Sequence, residues 1–168
     1  MNIFIISPAT NLVYSLKKIL NHEGYNVTSV SNINEAIICF KSIINSSGFI
    51  DLIILDDDLS DDFSSGQFET GLNFINHFNE EFKSIGYYNG IRVIKTPILI
   101  MSSKYSGIEE TIEGYNKLGH SIIGKPLHQE RLILIIPKVI KQWRQKVISD
   151  LDYIGYSITF DGFFHLRP

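Results

Sequence analysis

Five short apolar runs alternate along the chain with longer segments in which apolar residues recur at helical spacing. Four runs predict buried strands: residues 3–7, 51–55, 97–103 and 121–124. The remaining run, residues 25–30, alternates between polar and apolar residues and is rich in β-branched side chains, which predicts an edge strand. The predicted helices are residues 10–24, 33–44, 71–84, 107–119 and 128–146. Apolar strands that alternate with helices are typical of a parallel sheet covered on both faces. The pattern therefore predicts an α/β domain with a doubly wound, five-stranded parallel sheet.

The chain also contains segments that do not fit this alternation. Residues 59–70 and 85–96 lack periodicity and are predicted to be loops. Residues 148–168 contain two short β-prone runs joined by Asp161-Gly162, which favours a β-hairpin turn. With five aromatic residues, this segment is too apolar to extend into water. We therefore predict a domain over 1–147 and a C-terminal extension over 148–168 that packs on the domain or pairs with a partner or a second copy in a homodimer, packing being favoured.

Composition excludes several classes of protein. The 168 residues are 44% hydrophobic and 20% charged, as in an ordinary globular domain. The formal charge of −3 gives no general attraction to nucleic acid or to acidic membranes. The only cysteine, Cys39, cannot form an internal disulfide, which suits a reducing compartment. No apolar run reaches membrane-spanning length, so we predict a soluble, cytoplasmic protein without nucleic-acid or membrane partners.

Three chemically distinct residues lie at the ends of three predicted strands. Asp56 ends "DLIILD", Ser102 lies near the end of "PILIMSS" and Lys125 follows "SIIG". Sites in open α/β sheets form at the carboxyl ends of the strands, so these side chains are expected to converge. A carboxylate can attack a phosphoryl donor and form an acyl phosphate, which a lysine and a hydroxyl stabilise. Mg²⁺ usually completes such a site.

These motifs, in this order, resemble the receiver domain of two-component response regulators over residues 1 to about 147. The resemblance implies the CheY-like, flavodoxin-like fold and a phosphate acceptor at Asp56. Ser102 matches the Ser/Thr that ends the fourth strand in that family. Lys125-Pro126 in "IIGKPL" matches the Lys-Pro that follows the fifth strand, whose peptide bond is typically cis. Three motifs in order, on the expected strands, are a strong indication of the fold.

The chain departs from the receiver pattern at three places. Ser7 and Pro8 stand where receivers have an acidic pair that holds magnesium. Ile122 stands where the family often has an aromatic residue. The loop after Asp58 is acidic and longer than usual. The resemblance is therefore to an atypical receiver with a degenerate metal site.

The three consecutive aspartates suggest how that metal site could be replaced. Asp56 is expected to point into the site and Asp57 away from it, because side chains alternate along a strand. Asp58 follows the strand, where its carboxylate is a candidate ligand. We hypothesise that Mg²⁺ is bound by Asp56 and Asp58, with Asp61 or Asp62 as further candidates. A solvated loop is the favoured interpretation of those last two.

The resemblance implies a single-domain response regulator in a phosphorelay, a signalling protein rather than an enzyme. Its expected partners are a histidine kinase or phosphotransfer protein that phosphorylates Asp56, and a downstream protein that reads the change. The replacement of the acidic pair by Ser7 and Pro8 favours an alternative, a pseudo-receiver that docks partners without phosphorylation.

An enzymatic alternative starts from the same aspartates. "LIILDDDLS" also resembles the first motif of haloacid-dehalogenase-like phosphatases, with Asp56 as nucleophile and Asp58 as general acid. Ser102 and Lys125 would then be phosphate ligands. The motif normally lies on the first strand, and the late acidic pair would have to be Asp150 and Asp152, which do not end a predicted strand. This hypothesis is the least favoured of the three.

Overall fold

The computed structural model describes the strands of the predicted sheet, three helices and a terminal strand pair. It describes residues 1–46, 50–59, 75, 96–103, 121–153, 156–158 and 164–166. Four predicted segments lie almost entirely outside the described residues: the loops 59–70 and 85–96 and the helices 71–84 and 107–119. Of these segments, the structure describes only Leu59, Ile75 and Thr96. Asp61 and Asp62 also lie outside the described residues.

The described elements follow the predicted alternation of strands and helices. In chain order they are β1 (Asn2–Ile6), α1 (Thr10–His22), β2 (Asn26–Val30), α2 (Ile33–Asn45), β3 (Leu52–Asp56), β4 (Ile98–Ser102), β5 (Ser121–Gly124), α3 (Gln129–Tyr153), β6 (Tyr156–Ile158) and β7 (Phe164–Leu166). The first five strands form one sheet and the last two form a separate antiparallel pair.

The large sheet is parallel throughout, with the strand order β2-β1-β3-β4-β5. The predicted doubly wound α/β fold is confirmed. In the register, Ile54 of β3 lies between Ile5 of β1 and Leu99 of β4. β2 is an edge strand, as its alternating polar residues predict. The carboxyl ends of β1, β3, β4 and β5 consequently meet along one edge of the sheet.

Two apolar layers cover the two faces of the sheet. One layer packs α1 and α3 against the face that carries Ile3, Ile5, Leu52, Ile54, Leu99, Met101 and Ile123. The other layer packs α2 and Ile75 against the face that carries Phe4, Ile6, Ile53, Leu55, Ile98 and Ile100. Since β3 and β4 are buried on both faces, every side chain at their carboxyl ends is held close to a fixed position.

The first helix begins one residue earlier than an N-cap at Thr10, which the sequence favours, would place it. Ala9, not Thr10, is the N-cap of α1, and its carbonyl accepts the first helical N–H, that of Val13, at 3.0 Å. The Ala9 N–H donates to Ser7 Oγ at 3.2 Å, which fixes the turn from β1 into the helix. At the other end Gly24 adopts φ +80°, the left-handed conformation that ends many helices, as predicted.

The second helix is capped by reciprocal side-chain bonds. Asn32 Oδ1 accepts the Glu35 N–H at 2.9 Å, and Glu35 Oε2 accepts the Ser31 N–H at 3.2 Å. The hydrogen bonds from the Ser31 backbone and hydroxyl lower the pKa of the Glu35 carboxyl. This cap fixes the path from β2 into the helix that covers the second face of the sheet.

The last helix is longer than predicted. α3 continues to Tyr153 because Trp143, Val147 and Leu151 keep the apolar spacing of a helix, so the predicted domain boundary at 147 falls within it. β6 and β7 then pair as an antiparallel hairpin, with Asp161-Gly162 outside the described residues. Within the described part of the chain, none of the helices has the length and apolarity to cross a membrane.

Candidate phosphoacceptor site

The three consecutive aspartates are directed to different sides of the sheet. Backbone hydrogen bonds continue the sheet one residue past its formal ends: the Asp57 N–H donates to the Met101 carbonyl, and the Lys125 N–H to the Ser102 carbonyl, both at 2.9 Å. Side chains therefore still alternate between the faces at these positions. Asp56 lies on the face that packs against α1 and α3, and Asp57 lies on the opposite face.

Asp56 is a buried carboxylate with hydrogen-bond donors on both oxygens. Only 1% of the residue is exposed. Ser7 Oγ donates to its Oδ2 at 2.7 Å. Lys125 Nζ lies 2.5 Å from its Oδ1, which also accepts the Asp58 backbone N–H at 3.0 Å. These contacts explain how a charge can be buried here, because a carboxylate out of water is tolerated only when it is paired and hydrogen-bonded.

Lys125 connects two of the aspartates. It follows β5 and precedes Pro126 through a cis peptide bond, as the resemblance to receiver domains implies. Its ammonium donates to Asp56 Oδ1 and, at 3.1 Å, to Asp58 Oδ2. Burial by itself lowers the pKa of Lys125, but the hydrogen bonds and charges of the two carboxylates outweigh it, so the net shift of this pKa is upward. The lysine is held in its charged form.

Asp58 lies at the outer side of the same cluster. Its side chain is 38% exposed, whereas that of Asp56 is 1% exposed. Besides the contact with Lys125, its Oδ2 accepts the hydroxyl of Ser103 at 2.8 Å. Asp58 is therefore more accessible to solvent than the buried carboxylate of Asp56.

Ser102 forms a second buried contact on the other face. Its hydroxyl donates to Asp57 Oδ2 at 3.0 Å. Asp57 is 5% exposed and Ser102 is 1% exposed. The structure thus brings Asp56 and Lys125 together as predicted, but it pairs Ser102 with Asp57 rather than with Asp56. The reason is register: Ser102 shares the face of Ile98 and Ile100, opposite to that of Asp56.

Comparison with known proteins bears on the fold of the chain. No family model matches the sequence. No curated protein matches it either. Among solved structures, a two-component response regulator from Clostridium difficile is similar at 23% identity and a TM-score of 0.62, over 85% of this chain and 98% of that one. A CheY-like receiver domain from Methanospirillum hungatei JF-1 has 18% identity and a TM-score of 0.61, over 86% and 97%.

A third similar structure is the chemotaxis protein CheY4 of Vibrio cholerae, with 17% identity and a TM-score of 0.58 over 82% of this chain and 97% of that one. The chain has the fold of a receiver domain. The identities are too low to carry residue roles, so the functional argument depends on the geometry of the site itself. In the receiver fold the cluster of Asp56, Asp58 and Lys125 lies at the edge where sites form.

Among the described residues, the groups that contact the Asp56 carboxylate are hydrogen-bond donors rather than further oxygen ligands for magnesium. Mg²⁺ prefers several oxygen ligands in octahedral geometry. Ser7 replaces the acidic pair with a hydroxyl that donates its proton to Asp56, and Pro8 supplies no side-chain ligand. Within the described residues there is no group of three acidic, histidine or cysteine side chains that could hold a metal. The arrangement fits a carboxylate neutralised by a lysine better than a metal ligand.

The sequence did not reveal the role of Ser7. The uncharged side chain of Ser7 predicts only the loss of a metal ligand, whereas the structure shows a hydroxyl, 2% exposed, that donates a hydrogen bond to Asp56. The signal was present in the alternation of β1: Ile3 and Ile5 face α1 and α3, so Ser7, two residues on, faces the same side.

The phosphatase hypothesis does not gain support from the geometry. Asp150 and Asp152, the acidic pair that it requires, lie in helix α3 rather than at the end of a strand of the sheet. Two strands also precede β3 in the chain, whereas that motif belongs to a first strand.

Proposed function

We propose that the chain is a receiver-like signalling module that accepts a phosphoryl group on Asp56 from a histidine kinase or phosphotransfer protein. The observation that carries the proposal is the buried Asp56 at the carboxyl end of β3, with the Lys125 ammonium 2.5 Å from its Oδ1. The receiver fold of the chain is consistent with this chemistry, but the argument depends on the geometry around Asp56.

The transfer follows from ordinary carboxylate chemistry. An oxygen of Asp56 attacks the phosphorus of a phosphohistidine donor, an O–P bond forms, and the P–N bond breaks with its electron pair going to the imidazole, which takes up a proton. Lys125 remains charged and stabilises the additional negative charge. The hydroxyl of Ser7 and the N–H of Asp58 already face the Asp56 carboxylate and would donate to the new oxygens.

The output is a change of protein contacts. Phosphorylation replaces the single negative charge of the Asp56 carboxylate with the roughly −1.5 to −2 of a phosphoryl group beside Lys125, so the lysine is drawn from Asp58 toward the phosphoryl oxygens. The change of charge and of hydrogen bonding acts first on the end of β4 and on Lys125, the residue after β5. A downstream protein that binds this edge would distinguish the two states.

A phosphorylation-independent docking module is the second candidate. It is favoured by the protein donors that already occupy both oxygens of Asp56, because a satisfied carboxylate is a weaker nucleophile. In that case Asp56 would be a structural acid, and Asp56→Asn would leave partner binding unchanged.

One titration separates the two candidates. Beryllofluoride mimics an acyl phosphate at equilibrium, and backbone amide NMR reports where it binds. A receiver gives shifts centred on Asp56 and Lys125 that Asp56→Asn abolishes, whereas a docking module gives none. Running the titration with and without millimolar Mg²⁺ also tests the prediction that Asp56 and Asp58 bind this ion. Shifts at Asp58 on addition of Mg²⁺ alone would support it.

A further inference from the structure

Asp57 is a buried acid that the proposed chemistry does not use. It is 5% exposed and lies on the face of the sheet that α2 and Ile75 cover, opposite to Asp56. Its Oδ2 accepts the hydroxyl of Ser102, which is 1% exposed, at 3.0 Å. Burying a carboxylate in an apolar layer costs folding free energy. The position of Asp57 beside Ser102 therefore suggests a function for this acid.

The same hydroxyl cannot serve both faces of the sheet. Ser102 continues the series of Ile98 and Ile100, which face α2, while Met101 and Asp56 share the other face. In this structure the hydroxyl on the Asp56 side at the end of β4 is that of Ser103, which donates to Asp58. For Ser102 to reach a phosphoryl group on Asp56, its bond to Asp57 has to break and the end of β4 has to move.

We propose that Asp57 is a positioning residue that holds Ser102 away from Asp56 and thereby weakens the response to phosphorylation. The inference rests on the proposed function, since Ser102 must have a phosphoryl group to reach. Because the hydroxyl must first break its bond to the Asp57 carboxylate, few molecules are in the phosphoryl-competent state, and the apparent affinity is reduced by that fraction. A hydrogen bond to a charged group corresponds to a factor of about ten.

The test compares beryllofluoride affinity, by NMR titration, in the full chain and three variants. Asp57→Asn keeps the shape of the side chain and removes its charge, and we expect affinity to rise by about tenfold. Ser102→Ala in the wild-type background should lower affinity. In the double variant Asp57→Asn/Ser102→Ala the gain should disappear, because there is no hydroxyl left to release.

The double variant distinguishes positioning from simple charge removal. A gain from Asp57→Asn that persists in the Ser102→Ala background would show general electrostatics and overturn the inference. Binding in wild type with no gain in Asp57→Asn would overturn it while leaving the proposed function intact. Absence of binding in all four proteins would remove the proposed function and the inference together.

A second variant guards against a folding defect. Asp57→Ala removes both charge and acceptor and should give the same gain, provided that its urea unfolding is cooperative. The Ser102 side-chain resonances of the free protein give an independent readout, because they should shift in Asp57→Asn before any ligand is added. Unchanged Ser102 resonances in both Asp57 variants would contradict the contact on which the inference depends.

Discussion

Replacing Lys125 with methionine should destabilise the protein strongly, because it leaves a buried carboxylate without its counter-ion. Asp56 is 1% exposed, and Lys125 Nζ lies 2.5 Å from its Oδ1. Removing one partner of a buried ion pair typically costs about 3–5 kcal/mol. Ser7 and the Asp58 N–H still donate to Asp56, and Lys125 is 20% exposed, so we expect the lower end, about 3 kcal/mol.

Replacing the other partner of this ion pair should lower the unfolding free energy less. In Asp56→Asn the buried charge is gone and Lys125 keeps Asp58 as a partner, so we expect a loss of about 1 kcal/mol. The double variant Lys125→Met/Asp56→Asn should be more stable than Lys125→Met alone, because it buries no unpaired charge. This asymmetry is the signature of a carboxylate that depends on the lysine.

The assay is urea unfolding followed by the fluorescence of Trp143, the only tryptophan in the chain. Lys138→Met is a matched control, since Lys138 is exposed on the surface of α3. We expect this control to change the unfolding free energy by no more than about 0.5 kcal/mol. Equal midpoints for Lys125→Met and Lys138→Met would refute the argument, as would a double variant less stable than Lys125→Met.

Three further predictions follow from other contacts. Ser7→Ala should lower the unfolding free energy by about 2 kcal/mol, because it removes a buried hydrogen bond to a charged group; Ser15→Ala on the exposed side of α1 is the control. Asn32→Ala should cost about 1 kcal/mol by removing the α2 cap, measured by the same urea unfolding. The difference in unfolding free energy between wild type and Lys125→Met should shrink above about pH 10.4, the pKa of a lysine in the unfolded chain. Because the folded-state pKa of Lys125 is raised, its contribution to stability is complete below the unfolded-state pKa and is lost as pH rises through the folded-state pKa. A difference that stays constant to the highest pH would contradict this.

The strands and the position of Asp56 were predictable from the sequence for a simple reason. Apolar runs such as "LIIL" have no solvent face, which only a sheet covered on both sides can provide. In a parallel sheet all carboxyl ends lie at one edge, and β3 and β5 are separated there by β4 alone, so the long side chain of Lys125 can reach Asp56. The cis peptide bond before Pro126 could be expected only from the resemblance to receiver domains.

The partner of Ser102 was not predictable in the same way. Alternation tells which residues of one strand share a face, but only the register between strands tells which faces of two strands coincide. The pairing of Ile54 with Leu99 puts Ser102 beside Asp57. A sequence carries no direct signal for that register, because β3 and β4 are apolar on both faces and either alignment buries them equally well.

Three adjacent carboxylates are tolerated here because the sheet separates their environments. Asp56 accepts hydrogen bonds from Ser7 and Lys125, and Asp57 accepts one from Ser102. Asp58 accepts a second hydrogen bond from Lys125. Lys125 is the cation that Asp56 and Asp58 share. Under the proposed function, a phosphoryl group on Asp56 would compete with Asp58 for this lysine. The side chain of Asp58 is 38% exposed and therefore more accessible to water than Asp56 or Asp57, so under the proposed function we expect phosphorylation to weaken its contact with Lys125 first.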